Sequence, residues 1–272
     1  MGKESYFIKQ FKSQAIGDDG AVIDSKVYSK DLFCEDIHFK REWMSLEMIA
    51  QKSMLVNISD AIAMNAIPKL ALIGIVIPKQ FSLEQLKSLA KGFERVAREY
   101  GIEIIGGDTT AGSKLMISVS IISDVTKPIY RKNAKMGDLV AYTGELGHSY
   151  KGLTRLLRGG KIGSKSRFVT PHLKGTFFYK ASKHIHAGLD ISDGLSKDLS
   201  RMCQDSKVGV NFLHKIDKRV LCSGEEYEML FSFSPRQKAV IERIAKQTRT
   251  KVTVFGKLTR NRYRCSCKEN HF

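Results

Sequence analysis

The sequence predicts a mixed α/β protein of about two domains, and three observations carry that reading. Apolar runs of strand length alternate with longer stretches of helical period. Short clusters of Gly, Ser, Thr and Asp separate them, as turns do. The chain has 272 residues, 42% apolar and 27% charged. At about 150 residues per domain that makes two domains or one large one, of ordinary globular composition.

The elements follow in order. Residues 27–33 read as a strand with Asp31 within it or at its end. Residues 46–66 read as a helix with Ile49, Ala50, Val56 and Met64 apolar. On that helix Ser53, Asn57 and Asp60 are spaced four and three apart, so they share one face and form a polar strip. Residues 70–78 fit a buried strand. Ser82 and Gln85 make a capping box for a helix over 82–100, continued by Leu86, Leu89, Ala90, Phe93, Val96 and Ala97. A short strand over 102–105 runs into Gly106-Gly107-Asp108, and 115–123 is another strand. His184 and His186 are placed on a helix before Asp190, as surface or packing residues. Trp43 and Met44, Met48, Met54 and Met64 are read as core.

Composition excludes several classes. The longest uncharged apolar run is residues 70–78, nine between two lysines, against about 20 for a membrane span. No apolar signal-peptide segment opens the sequence, so the expected address is cytoplasmic, with no membrane partner. Cys34, Cys203 and Cys222 stand alone, and Cys265 and Cys267 form a C-x-C. No zinc framework matches that spacing, and all five are expected as free thiols. Lys and Arg total 45 against 28 Asp and Glu, a net charge of +17. Such a charge permits nucleic-acid binding, but the basic residues are scattered (Lys151, Arg155, Arg158, Lys161, Lys165, Arg167), and no nucleic-acid module is visible. A basic surface equally attracts small phosphorylated substrates. A basic nucleic-acid-binding protein stays as the rival from another class.

The acids are more informative. They gather in Gly17-Asp18-Asp19-Gly20, Ser29-Lys30-Asp31, Asn57-Ile58-Ser59-Asp60, Gly107-Asp108-Thr109-Thr110 and Asp190-Ile191-Ser192-Asp193-Gly194. Any one aspartate could simply cap a turn or a helix. Five such clusters beside Gly, Ser or Thr suit hard cations, because Mg²⁺ takes oxygen ligands and bridges to substrate phosphates. Neither a P-loop, a dinucleotide fingerprint nor the protein-kinase set is present, so ATP, if used, is bound by a different fold.

In order and spacing these clusters resemble the thiamine-monophosphate kinase family of the aminoimidazole-ribonucleotide-synthetase-like superfamily. The resemblance also takes in His38-Phe39 seven residues after Asp31, and Arg131-Lys132-Asn133 through Gly137-Asp138. It adds Thr143-Gly144-Glu145-Leu146-Gly147 and Ser223-Gly224-Glu225-Glu226-Tyr227-Glu228. It spans about residues 15–256. It implies ATP-dependent phosphorylation of thiamine monophosphate to thiamine diphosphate, by direct in-line transfer with no phospho-enzyme. Its fold is an N-terminal domain (1–135) with a half-barrel sheet that binds ATP and metal and pairs across a homodimer. A C-terminal α/β domain (136–272) follows.

Roles carry over by position. The resemblance implies Mg²⁺ ligands at Asp19, Ser29, Asp31, Asp60, Asp108, Asp190 and Asp193, several ions in all. Catalysis would rest on Asp60, Asp108 and Asp190. ATP contacts fall on Gly107, Asp108, Arg131, Ser192 and Tyr100, and substrate contacts on His38 and Glu225. Two departures stand out. Glu226 replaces the family's Asp, and the family's C-terminal aromatic has no counterpart in Tyr263-Arg264-Cys265-Ser266-Cys267. Tyr263 or Phe272 is the expected substitute. Within the superfamily, selenophosphate synthetases and hydrogenase-maturation enzymes are rivals; both need cysteines placed differently from these.

Overall fold

Strand pairing in the first half sets where the acids end up. In the computed structural model, which describes residues 3–267, a short α1 (Lys3–Ile8) precedes β1 (Ala21–Ile23), β2 (Lys26–Cys34), α2 (Leu46–Ala63), β3 (Ile67–Pro78), α3 (Leu83–Tyr100), β4 (Glu103–Gly112) and β5 (Met116–Asp124). The sheet order is β1-β2-β5-β3-β4. β3 and β4 run parallel and the other neighbours antiparallel. A parallel pair needs a crossover, and α3 supplies it. Ser82 and Gln85 cap its start reciprocally, and Gly101, at φ 64°, ends it.

The second half contributes β6 (Leu139–Thr143), α4 (His148–Leu157), α5 (Gly175–Ala181), β7 (Ala187–Asp190), α6 (Leu195–Asp205), β8 (Gly209–Phe212), α7 (Lys218–Leu221), β9 (Met229–Phe233), α8 (Lys238–Gln247) and β10 (Val252–Thr259). Its sheet, β7-β9-β6-β10-β8, is antiparallel throughout.

α2 joins the halves. Ser45 caps it, accepting from the Met48 N–H. It packs on β2, β5 and α3 and also touches β7 and α5. It is therefore buried on nearly every side, including Lys52, Ser53, Asn57 and Ser59, and its polar groups need internal partners. The main core runs through it from Phe33, Ile117 and Ile121 to Phe168, Phe177, Phe178 and Phe231. A second core of Leu189, Leu199, Met202, Leu230 and Phe255 lies under α6. This packing brings the last turn of α2 against the end of β7.

Four expectations need correction. Gly106-Gly107-Asp108 is not a turn beyond a short strand. β4 continues through it to Gly112, because Gly107, at φ 153°, lets the backbone pass where a Cβ would lie 1.8 Å from the Ile73 carbonyl oxygen. His184 ends a 3-10 turn and His186 precedes β7; neither sits on an α-helix, and His186 Nδ1 lies 2.9 Å from the buried Asp138. Cys222 and Cys267 are disulfide-bonded, while Cys34, Cys203 and Cys265 are free. The pair is 45 residues apart, a separation at which spacing says nothing about proximity. Finally, Tyr263 covers the second core. Its ring lies 5.8 Å from Phe212 and its hydroxyl 2.8 Å from Ser196 Oγ. Phe272 lies outside the described residues. Among the described residues no helix is long and apolar enough to cross a membrane.

Glu228 makes a prediction about stability. It is 1% exposed and accepts from Thr143 at 2.7 Å, with Arg167 and Lys174 at 3.5 and 3.9 Å. Burial outweighs these partners and raises its carboxyl to about 7. A raised carboxyl contributes stability below its unfolded value, and that contribution is lost as pH rises through 7. Glu228→Gln removes the titration. Denaturant unfolding should therefore show the stability of wild type relative to the variant falling between pH 5 and pH 8. A difference that grows with pH would contradict the assignment.

Candidate active site

Four aspartates from four elements meet at the junction of the halves. Asp60 stands in the last turn of α2, Asp31 on β2, Asp190 at the end of β7, and Asp19 in the loop before β1. Asp19, Asp60 and Asp190 each present an oxygen within 4.8 Å of the others. Burial, then Asp19, raises Asp31 to about 6. Asp60 is pushed well above the carboxylate range by burial, then by Asp31, Asp190 and Asp19. Burial and Asp19 likewise push Asp190 up, against a 2.7 Å hydrogen bond from Ser59. Like charges this close and this dry cannot all ionise unless a cation joins them.

The donor set fits a hard divalent cation. Every cluster atom is oxygen, and Asp19 Oδ2 is buried with no hydrogen-bond partner among the described residues. Arg131 supplies the nearest positive charge. Its guanidinium donates to Asp19 Oδ1 and, at 3.3 Å, to the Gly17 carbonyl, and its N–H donates to Asp18 at 2.7 Å.

The cluster lies in a cleft of about 670 Å³ whose lining includes Cys34, His38, Arg131, Ser192, Asp193, Glu225 and Tyr227. His38 Nδ1 accepts from the Cys34 N–H at 3.0 Å, and its ring stacks on Phe33. Glu225 is held with φ at 54°, donating its N–H to the Ser192 carbonyl at 2.7 Å. Its Oε2 accepts from Lys52 at 2.9 Å. Asp193 pairs with Arg201 at 2.5 Å and Lys197 at 3.3 Å.

Other expected site residues lie elsewhere. Ser29 is buried and does not line the cleft, and its hydroxyl donates to Asn57. Asn57 also donates to the Val119 carbonyl at 2.7 Å, so that part of the polar strip holds α2 to the sheet. Ser53 donates to the Ala50 carbonyl of its own helix. Tyr100 packs against the main core, and burial raises its hydroxyl to about 12. Gly107 and Asp108 are exposed on β4, an edge strand, and neither lines the cleft.

Sequence reasoning missed Lys52, Ser59 and Tyr227. Lys52 is 0% exposed, and its ammonium lies 4.2 Å from the Phe168 ring centroid. A signal existed: Lys52 and Ser59 are seven apart, two helical turns, on the one stretch of α2 where polar residues interrupt an apolar helix.

Residues 17–125 match the AIR synthase related protein N-terminal domain and residues 135–259 the C-terminal domain. A thiamine-monophosphate kinase of Nitrosopumilus maritimus is 32% identical over 237 residues, 79% of this chain and 76% of its own. That of Buchnera aphidicola subsp. Schizaphis graminum is 34% identical over 289 residues, 92% and 87%. The solved structure of AaThiL complexed with AMPPCP and TMP is 25% identical, with a TM-score of 0.85, covering 96% of this chain and 90% of that one. Sequence motifs in the family's order, one cleft that gathers most of them, and relatives aligned over most of their length lead to one conclusion: the chain belongs to the thiamine-monophosphate kinase family of AIR-synthase-related proteins.

Proposed function

We propose that this protein transfers the γ-phosphoryl group of ATP to the phosphate of thiamine monophosphate. The observation that carries this reading is one cleft whose lining holds a dense carboxylate cluster and Arg131 together with His38 and Glu225. The AaThiL complex with AMPPCP and TMP supports it.

Asp19, Asp60 and Asp190 would hold Mg²⁺, with Asp31 beside them and Asp193 as a further ligand. Cations bound there would screen the repulsion between the ATP triphosphate and the phosphate of thiamine monophosphate and stabilise charge on the transferred group. Arg131 and Ser192 bind the ATP phosphates, the guanidinium by paired bonds that a lysine cannot reproduce. Glu225 and His38 position the thiamine end. The attacking atom is already a phosphate oxygen anion, so the site needs no strong general base. Placement in line is enough, with no phospho-enzyme. Incubation with ATP, Mg²⁺ and thiamine monophosphate should yield thiamine diphosphate. ATP turnover without that product would shift the reading to another phosphotransferase of the superfamily.

We further propose a homodimer in which the first domain, residues 1–135, offers β4 to a second copy. β4 is an exposed edge, and an unblunted edge invites pairing. Gly107 and Asp108 would then act, as ATP and metal contacts, where the second copy approaches. Mixed subunits test this. Asp60→Asn and Asp108→Asn homodimers should each be inactive, and unfolding and refolding the two together should restore part of the activity. No recovery would place both residues in the same copy's site.

A further inference from the structure

Between Glu145 and Asp190 the chain carries nine Lys or Arg and no Asp or Glu. More than half of the net charge of +17 therefore comes from these 44 residues. The fold neutralises two of the nine, Arg167 and Lys174, against the buried Glu228. Lys151, Arg155 and Arg158 recur at steps of four and three along α4 and its C-cap, so they share one face. Arg219, on α7, faces them. Together with Tyr150, Thr154 and Gly160 these four cations line a groove of about 430 Å³. Among the described residues, Arg219 alone of the four pairs with a carboxylate, Asp217 at 3.2 Å.

Three features make this more than a basic surface. The cations converge from two elements on one concavity, which focuses their potential. The row stands on fixed backbone: the N–H groups of Gly147 and Ser149 donate to the buried Glu226 at 2.8 and 3.1 Å, and that of Tyr150 to Ser223 at 3.2 Å. An aromatic ring, Tyr150, stands 42% exposed among the cations. The groove shares no lining residue with the acidic cleft and is opposite to it in charge.

We infer that this groove is a second ligand site, for a small anion with two or three linked phosphates. Arginine forks match phosphate oxygens bidentately, and the volume is that of a small-molecule site. A nucleic-acid strand would need a longer track. The inference does not depend on the reaction proposed for the cleft.

The two sites separate by their need for metal. With EDTA present, the cleft offers phosphates a cluster of carboxylates and repels them, whereas the groove needs no divalent ion. Calorimetric titration of the full chain with inorganic triphosphate, in EDTA at low salt, should show saturable one-to-one binding. Arg155→Glu with Arg158→Glu should weaken it by at least about tenfold, leaving turnover at saturating substrates unchanged. Arg131→Ala, in the cleft, should leave the binding unchanged. Repeating the titration with ADP and with inorganic diphosphate distinguishes the sources: tighter ADP binding, lost in Tyr150→Ala, marks a nucleotide. Equal binding marks a free oligophosphate. Absence of binding in EDTA, loss with Arg131→Ala only, or a preference for single-stranded oligonucleotide that grows with length would each overturn the inference.

Discussion

Asp60→Asn is expected to cut turnover by at least about a hundredfold and to leave the protein as stable as before, or more so. Both halves follow from the same geometry. Asp60 sits among Asp19, Asp31 and Asp190, in a site where burial and those neighbours disfavour its charge. In the folded protein without bound cations, the carboxylate is therefore a liability. An amide of the same shape removes the repulsion and keeps a neutral oxygen. In the reaction, the same charge helps hold the cations that screen the ATP triphosphate from the attacking phosphate, and interactions aimed at developing charge in a dry site are the most costly to lose. The measurements are steady-state turnover at saturating Mg²⁺ and a thermal melt in EDTA. Wild-type turnover would remove Asp60 from the machinery. A lower melting temperature would mean that Asp60 supports the fold, and that a low rate in the variant says little about chemistry.

The outcome for Asp60 shows what the sequence could reveal. Asp60 was legible because helical spacing put it on a polar strip, and the strip was conspicuous on an apolar helix. Asp31 and Asp190 were legible as acids at strand ends. Their convergence was not, since it depends on α2 packing between two sheets that lie far apart in sequence. The strip itself divides three ways: Asp60 enters the cleft, Asn57 binds β5 and Ser29, and Ser53 serves its own helix. Periodicity gives a face but not what that face meets. The boundary of β4 was missed because glycines read as a turn, whereas here they allow close strand approach. The Cys222–Cys267 link and the burial of Tyr263 are long-range contacts with no local signature.

Lys52 and Glu225 should respond unequally to removal of either partner, and the asymmetry follows from where each sits. The Lys52 side chain is wholly buried, with Glu225 and the Phe168 ring beside its ammonium, while Glu225 is 20% exposed on the cleft wall. Glu225→Ala strands a buried ammonium with no carboxylate, a change that costs roughly 3–5 kcal/mol when a buried pair is broken. Lys52→Met removes the buried charge itself. The thioether keeps contact with the Phe168 ring, and the Glu225 carboxylate can turn to water in the cleft. That variant should lose far less stability, and Lys52→Met combined with Glu225→Ala should recover most of what Glu225→Ala alone loses. Function should not follow the same order. Glu225 is proposed to hold the thiamine end and depends on Lys52 for its position. Both single variants should therefore raise the Michaelis constant for thiamine monophosphate while leaving that for ATP nearly unchanged. Urea unfolding of the three variants and their two Michaelis constants decide the matter. If Lys52→Met is the more destabilising single change, the lysine stem is holding the core, and the pair is not a device for orienting Glu225. If the constant for ATP rises instead, Glu225 belongs to the nucleotide end of the cleft.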